Sequence, residues 1–231
     1  MLPNSISSEI GPFDVAVLPV GSFEQHGPYL PLATDTMIAT EVARRAADAY
    51  GLFLLPPITF SCSHEHDGFP GTVSISAATL AHVIEDISED LARGGVERLL
   101  LVNGHGGNAL LTNVVQQANV ARRAMLLFPT SHHWTAAREA AACLATTHED
   151  MHAGEAETSI LLAIAPELVR SGWEDGDCEA DDRSLLTMVG MVGYTRSGVI
   201  GRPSLATAEK GEALLDALVS QLEQPLKLLR E

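Results

Sequence analysis

Short apolar runs alternate with amphipathic stretches along most of the chain. The apolar runs are rich in valine and leucine, which predicts buried β-strands. These runs cover residues 13–20, 52–58, 98–102 and 124–128. Pro56 and Pro57 shorten the second predicted strand, because proline cannot donate a hydrogen bond to a sheet.

The stretches between these runs carry apolar residues at helical spacing. They predict helices over residues 36–50, 77–93, 109–123, 136–144, 155–164 and 208–229. Residues 174–183 are acidic and contain glycine, which predicts a surface loop. Alternating strands and helices of this length predict an α/β fold with a largely parallel central sheet. No linker interrupts the pattern, so we predict a single domain over residues 1–231.

Polar clusters follow three of the predicted strands directly. They comprise residues 22–35, 61–72 and 103–108. In open α/β sheets, ligands bind just beyond the carboxyl ends of the strands. We therefore expect these three segments to converge on one cleft.

Charge narrows the possible partners. The chain carries 14 basic and 30 acidic residues, a formal net charge of −16. Such a chain repels nucleic acid and anionic membranes, so we expect neither as a partner. The sequence also lacks the roughly 18 uninterrupted apolar residues that indicate a membrane span.

Cysteine usage favours a reducing compartment. Cys62, Cys143 and Cys178 are odd in number and widely spaced, so no disulfide framework is visible. Residues 1–11 lack the basic and apolar regions of a signal peptide. We expect a cytoplasmic protein.

The first polar cluster contains candidate metal ligands. Glu24 and His26 are two residues apart, so on an extended stretch their side chains share a face. Asp35 follows at the start of a predicted helix. Carboxylate and imidazole together suit zinc, manganese or iron(II). Taken singly, Asp35 reads as a helix cap and His26 as a loop histidine, but the cluster favours a metal site.

Two later motifs add further candidates. In the segment Asn103-Gly-His-Gly-Gly-Asn108, the glycines let the backbone approach a ligand closely. His105 is a candidate third or fourth metal ligand. The alternative is that the segment is only a glycine-rich turn. In the segment from His152 to Glu157, the histidine is a candidate general acid or base. Glu157 is a candidate metal ligand or water-orienting group, although Glu155 and Glu157 also suit the first turn of a helix electrostatically.

The segment His64-Glu65-His66-Asp67 resembles a metal cluster only at first sight. Its two histidines are two residues apart, whereas the HExxH motif of zinc peptidases places them four apart on a helix. We interpret His64 and His66 as substrate-binding residues that line the pocket.

Five motifs in order resemble the creatininase family of amidohydrolases. They are GSFEQHGPYLPLATD (residues 21–35), FPGTVS (69–74), NGHGGN (103–108), HAGEAETS (152–159) and SGVIGRPSLATAEKG (197–211). The resemblance implies a three-layer αβα sandwich, two divalent metal ions per subunit and a homo-oligomer, with a hexamer as one form. It also implies tryptophans near the substrate, for which Trp134 is the candidate here.

The same resemblance implies a division of the ligands between the two metals. Glu24, Asp35 and His105 would hold one ion, and His26 and Asp35 the other, with Asp35 as the bridge. In creatininase itself, a glutamate two residues after the histidine of the third motif binds the second metal. Gly107 stands there in this chain. We expect Glu157 to replace the missing ligand.

These features predict an amidohydrolase for a non-standard or cyclic amide, or for a peptide. A hydroxide bridging the two metals would attack the amide carbonyl, because divalent metals lower the pKa of bound water. A precursor peptide peptidase of the mycofactocin type, a formamide hydrolase and a non-catalytic metal-binding member remain open as alternatives. A dinucleotide-binding enzyme is disfavoured, because the chain lacks a GxGxxG motif after a strand.

Overall fold

The computed structural model describes residues 6–7 and 10–231. The expectation that residues 1–11 form no signal peptide therefore falls mostly outside the described residues. The centre of the molecule is a sheet of four parallel strands in the order β2-β1-β3-β4. The strands are β1 (Val15–Val20), β2 (Phe53–Leu54), β3 (Arg98–Asn103) and β4 (Met125–Phe128).

Helices cover both faces of this sheet. They are α1 (Thr34–Tyr50), α2 (Ala77–Arg93), α3 (Leu111–Ala118), α4 (Ser131–Ala140), α5 (Glu155–Ile164), α6 (Leu186–Val189), α7 (Ala208–Ser220) and α8 (Glu223–Arg230). Val15 and Val17 share one apolar core with α1, α4, α5, α7 and α8. Ala16 and Leu18 point to the opposite face and share a second core with α2 and α3. The predicted three-layer αβα sandwich with a parallel sheet is confirmed.

Four predicted helices have different bounds in the structure, and α1 begins at Thr34, two residues before its predicted start. The helix predicted over residues 109–123 is shorter, because the Asn119 side chain binds the backbone of Ala124 and Met125 and turns the chain into β4. The helix predicted over residues 136–144 starts earlier, where Thr130 and His133 form a capping box.

The single helix predicted over residues 208–229 is wrong. The chain forms two helices, α7 and α8, with a break at Gln221. Pro225 explains the break, because a proline ring clashes with the carbonyl four residues earlier and lacks the amide hydrogen of a helix.

The sheet topology places two of the polar clusters side by side. The last residue of β1, Val20, pairs with the last residue of β3, Asn103. The segments that follow these strands therefore leave the same edge of the sheet. Gly104 lies so close to α1 that a Cβ there would overlap the carbonyl oxygen of Asp35. Within the described part of the chain, no helix combines the length and the apolar character that crossing a bilayer requires.

Candidate metal centre

The carboxyl edge of the sheet gathers five side chains that could bind metals. Glu24 and His26 lie in the segment after β1, Asp35 in the first turn of α1, His105 after β3, and Glu157 in the first turn of α5. The first four are at most 5% exposed, and the side chain of Glu157 is 21% exposed. The predicted ligands thus come together from four separate elements.

Asp35 lies at the middle of this cluster. Its Oδ1 is 3.0 Å from His26 Nε2, and its Oδ2 is 3.0 Å from His105 Nδ1. Ser22 Oγ donates a hydrogen bond to Oδ2 over 2.8 Å. Each carboxylate oxygen therefore faces a different histidine, which would suit a carboxylate shared by two metal sites.

Both histidines have one ring nitrogen held by a backbone carbonyl. His26 Nδ1 donates to the Glu24 carbonyl oxygen over 3.0 Å, and His105 Nε2 donates to the Cys62 carbonyl oxygen over 3.0 Å. A carbonyl oxygen can only accept, so these nitrogens carry the protons. The opposite nitrogens, His26 Nε2 and His105 Nδ1, face the carboxylates. Metal-binding histidines are commonly oriented in this way.

Glu24 provides the test of whether a cation fits. Both its carboxylate oxygens are buried, and neither accepts a hydrogen bond from any residue that the structure describes. His66 Nε2 and His105 Nδ1 approach Oε1 to 3.1 and 3.2 Å without hydrogen-bond geometry. A buried carboxylate that has imidazole neighbours but accepts no well-formed hydrogen bond is costly. A bound divalent cation would remove that cost.

Two triads of these ligands share Asp35. In each triad the ligand atoms lie within 4.8 Å of one another: Glu24, Asp35 and His105 form the first, and His26, Asp35 and Glu157 the second. A further combination, of Glu24, His26 and His152, meets the same distance limit. The donor set of carboxylate oxygens and imidazole nitrogens suits zinc and manganese.

The pKa values of several side chains are shifted, because these ionisable groups are buried close together. Burial acts to lower the pKa of His26, but the charge and hydrogen bond of Asp35 outweigh it and raise that pKa to about 9. Burial raises the pKa of Glu157 to about 7. Burial, together with the neighbouring His26 and His66, holds the pKa of His152 well below the ordinary histidine value. His152 is therefore uncharged at physiological pH.

The surroundings of Gly107 explain why that position holds no ligand. A Cβ there would overlap Glu65 Oε1 and His105 Nε2, and would lie 2.8 Å from the Cys62 carbonyl oxygen. Glu65 itself approaches His105 Nε2 to 3.3 Å. Glu157 reaches the centre from the opposite side, 3.9 Å from His26 Nε2, and accepts a hydrogen bond from the Ala153 amide over 2.6 Å.

Two cavities open at the centre. The larger, of about 700 Å³, is lined by polar residues that include the predicted His64 and His66, and by the apolar residues Leu186, Met188, Val189 and Val192. His64 is exposed at the cavity wall, whereas His66 is buried against Glu24. Trp134 lines the smaller cavity, of about 270 Å³.

Sequence reasoning missed two polar residues that hold the centre in place. The Nε2 atom of Gln25 lies 2.9 Å from His66 Nδ1 and donates to the Gly198 carbonyl oxygen over 3.1 Å. Glu65 faces His105 as described above. Gln25 could have been suspected from its position between Glu24 and His26. Glu65 was noted only as part of the segment from His64 to Asp67, because its contact with His105 depends on the bare backbone at Gly107.

Comparisons with known proteins identify the family of this chain. The family model described as creatininase, creatinine amidohydrolase, matches residues 4–226. A mycofactocin precursor peptide peptidase of Mycobacterium ulcerans (strain Agy99) is 36% identical over 216 residues, which is 88% of this chain and 80% of that protein.

Solved structures of creatininases share the fold. A mutant creatininase of the Zn-Zn type superimposes with a TM-score of 0.76 at 26% identity, covering 93% of this chain and 90% of that one. A creatininase described as the Mn form gives a TM-score of 0.76 at 26% identity, covering 94% and 91%.

Proposed function

We propose that this chain, which belongs to the creatininase family of hydrolases acting on carbon–nitrogen bonds, cleaves an amide at a centre of two divalent metals. The observation that carries the proposal is the pair of ligand triads that share Asp35. Glu24 and His105 would complete the first site, and His26 and Glu157 the second. Zinc and manganese are the metals named for the similar creatininases, and both suit these ligands.

The metals, when bound, would supply Lewis acidity and lower the pKa of water. Side chains of this protein would carry out the proton transfers. His152 Nε2 donates to the Gln25 carbonyl oxygen over 2.7 Å, which leaves Nδ1 as the basic nitrogen. Nδ1 lies 3.8 Å from Glu24 Oε1 and so faces the centre. We propose that Nδ1 accepts a proton from the attacking water and that His152 or Glu157 delivers one to the leaving nitrogen.

The size and lining of the larger cavity indicate which substrates the site could accept. Its volume of about 700 Å³ lies in the range of sites that hold drug-sized ligands, and part of its lining is aliphatic. We propose a peptide or another amide with an apolar group beside the scissile bond. A second candidate, trimming of a precursor peptide, is favoured by the 36% identity to the mycofactocin precursor peptide peptidase.

The proposal is tested by hydrolysis assays on metal-free protein reloaded with zinc or manganese. The substrates are creatinine, a formamide and a set of short peptides. We expect cleavage of a peptide or bulky amide that a chelator abolishes and added metal restores. Metal binding without turnover of any of these amides would instead support a non-catalytic role.

We also propose a cytoplasmic homo-oligomer. The three cysteines are free, as a reducing compartment allows. Met188 and Val192 are exposed apolar residues near the mouth of the larger cavity, where a second subunit could cover them. Light scattering on the purified protein tests the assembly, and a monomer at all concentrations would contradict it.

A further inference from the structure

One short turn lies against two ligands of the first triad. The chain forms a single 3-10 turn at His64–His66. His66 Nε2 is 3.1 Å from Glu24 Oε1, and Oε1 of the preceding residue, Glu65, is 3.3 Å from His105 Nε2. Adjacent residues of this turn therefore contact the carboxylate and the imidazole of the same proposed metal site.

Glu65 contacts the side of the His105 ring that faces away from the other ligands. His105 Nδ1 faces Asp35 over 3.0 Å, whereas Nε2 donates a hydrogen bond to the Cys62 carbonyl oxygen over 3.0 Å. Because the Nε2 proton points to Cys62, Glu65 acts on the ring through its negative charge. A negative charge beside the Nε2 proton increases the electron density at Nδ1, which makes Nδ1 a better electron donor to a metal.

The carboxylate of Glu65 is charged and only partly exposed to solvent. Its side chain is 21% exposed, at the wall of the larger cavity. Burial acts to raise the pKa of Glu65, but the contact with His105 outweighs it and lowers that pKa, so the carboxylate is ionised at neutral pH. Solvent therefore screens the interaction between this charge and the imidazole less than it would at the surface.

Glycine at position 107 leaves the space that the Glu65 carboxylate occupies. A Cβ at Gly107 would overlap both Glu65 Oε1 and His105 Nε2. Any larger residue there would push the carboxylate away from the ring. The glycine that removes a potential metal ligand from position 107 thus gives the carboxylate of another segment access to His105.

We propose that Glu65 is a positioning residue for the first metal site, where its negative charge strengthens His105 as a metal ligand. The inference rests on the proposed function, which supplies the metal. This role differs from the substrate binding predicted for the neighbouring His64 and His66, because Glu65 acts through a metal ligand. Residues that contact metal-binding histidines in this way typically change metal affinity by about 10- to 100-fold when they are replaced.

Zinc affinity, measured by competition with a chelating dye at neutral pH, tests this role without turnover. Glu65→Gln keeps the shape of the side chain and removes its charge, whereas Glu65→Asp keeps the charge on a shorter side chain. We expect the dissociation constant of the tightest zinc site to rise about tenfold in Glu65→Gln and less in Glu65→Asp. A role in packing alone predicts the opposite order, because glutamine fills the same space as glutamate.

Asp67→Asn is the matched control, because Asp67 lines the same cavity but is exposed. It removes one negative charge near the centre, and screening by solvent should keep the change in zinc affinity below about twofold. Glu65→Ala is the second neutral variant if Glu65→Gln does not fold.

Equal zinc affinity in the wild-type protein and the neutral Glu65 variant would overturn the inference and leave the metal site in place. An equal loss of affinity in Asp67→Asn, or a greater loss in Glu65→Asp than in Glu65→Gln, would do the same. A wild-type protein that binds no zinc would instead overturn the proposed function, and this inference with it.

Discussion

The two ligand triads that share Asp35 differ in their origin and exposure. The first, with Glu24 and His105, comes from the segments after β1 and β3 and is almost fully buried. The second takes Glu157 from α5, and that side chain is 21% exposed and lines both cavities. A buried triad built on adjacent strand ends is suited to permanent metal binding. Under the proposed function, the more exposed triad is where water and substrate would arrive.

Removing Asp35, which both triads contain, should disable both proposed metal sites. Asp35→Ala deletes a ligand of both proposed sites and the partner of both His26 and His105. We expect the loss of both metals by elemental analysis and a fall in kcat/KM of about a thousandfold or more. Circular dichroism controls for folding. A variant that keeps two metals and full activity would refute Asp35 as the bridge.

Glu157→Gln should weaken metal binding at the second triad and leave the first triad unchanged. The carboxamide keeps the size of the side chain but removes its charge, so the second metal should dissociate while the first remains. We expect one metal per chain and a loss of kcat of about a hundredfold or more. Glu167→Gln, at an exposed glutamate, is the matched control. Two tightly bound metals in Glu157→Gln would show that another residue completes the second site.

Restoring the family glutamate should fail in this chain. Gly107→Glu would force a side chain into space occupied by Glu65 and His105, so it should disturb the first triad instead of completing the second. We expect the free energy of unfolding to fall by about 1–3 kcal/mol, as for other overpacked sites. Gly11→Glu is the control, because no neighbouring atom lies within 4 Å of a Cβ there and the residue lies outside the site. A Gly107→Glu protein with undiminished stability and tighter metal binding would contradict this prediction.

Metal removal should make stability depend on pH. Folded His26 has a pKa raised to about 9, against the ordinary 6.5. The metal-free folded state therefore retains a proton that the unfolded state loses between these values, and its stability falls as the pH rises from about 6.5 to about 9. Thermal melts should show this fall without zinc and a smaller one with zinc. Parallel curves in both conditions would argue against metal binding at His26.

The sequence predicted the buried triad better than the open one. Glu24, Asp35 and His105 follow strands whose apolar runs are plain, so the topology of a parallel sheet was enough to bring them together. Glu157 belongs to a helix that the tertiary fold brings to the centre. It was expected at the second metal site because Gly107 stands where creatininase has a metal-binding glutamate. The roles of Gln25 and Glu65 depend on contacts across the fold that no local pattern records.

The most direct test of the two-triad account is anomalous diffraction from crystals of the zinc-loaded protein. The account predicts two zinc peaks, about 3.5–4 Å apart as in other two-metal sites. One should be bound by Glu24, Asp35 and His105, and the other by His26, Asp35 and Glu157, at about 2.0–2.2 Å. A single peak, or a second peak without Glu157 among its ligands, would contradict the account.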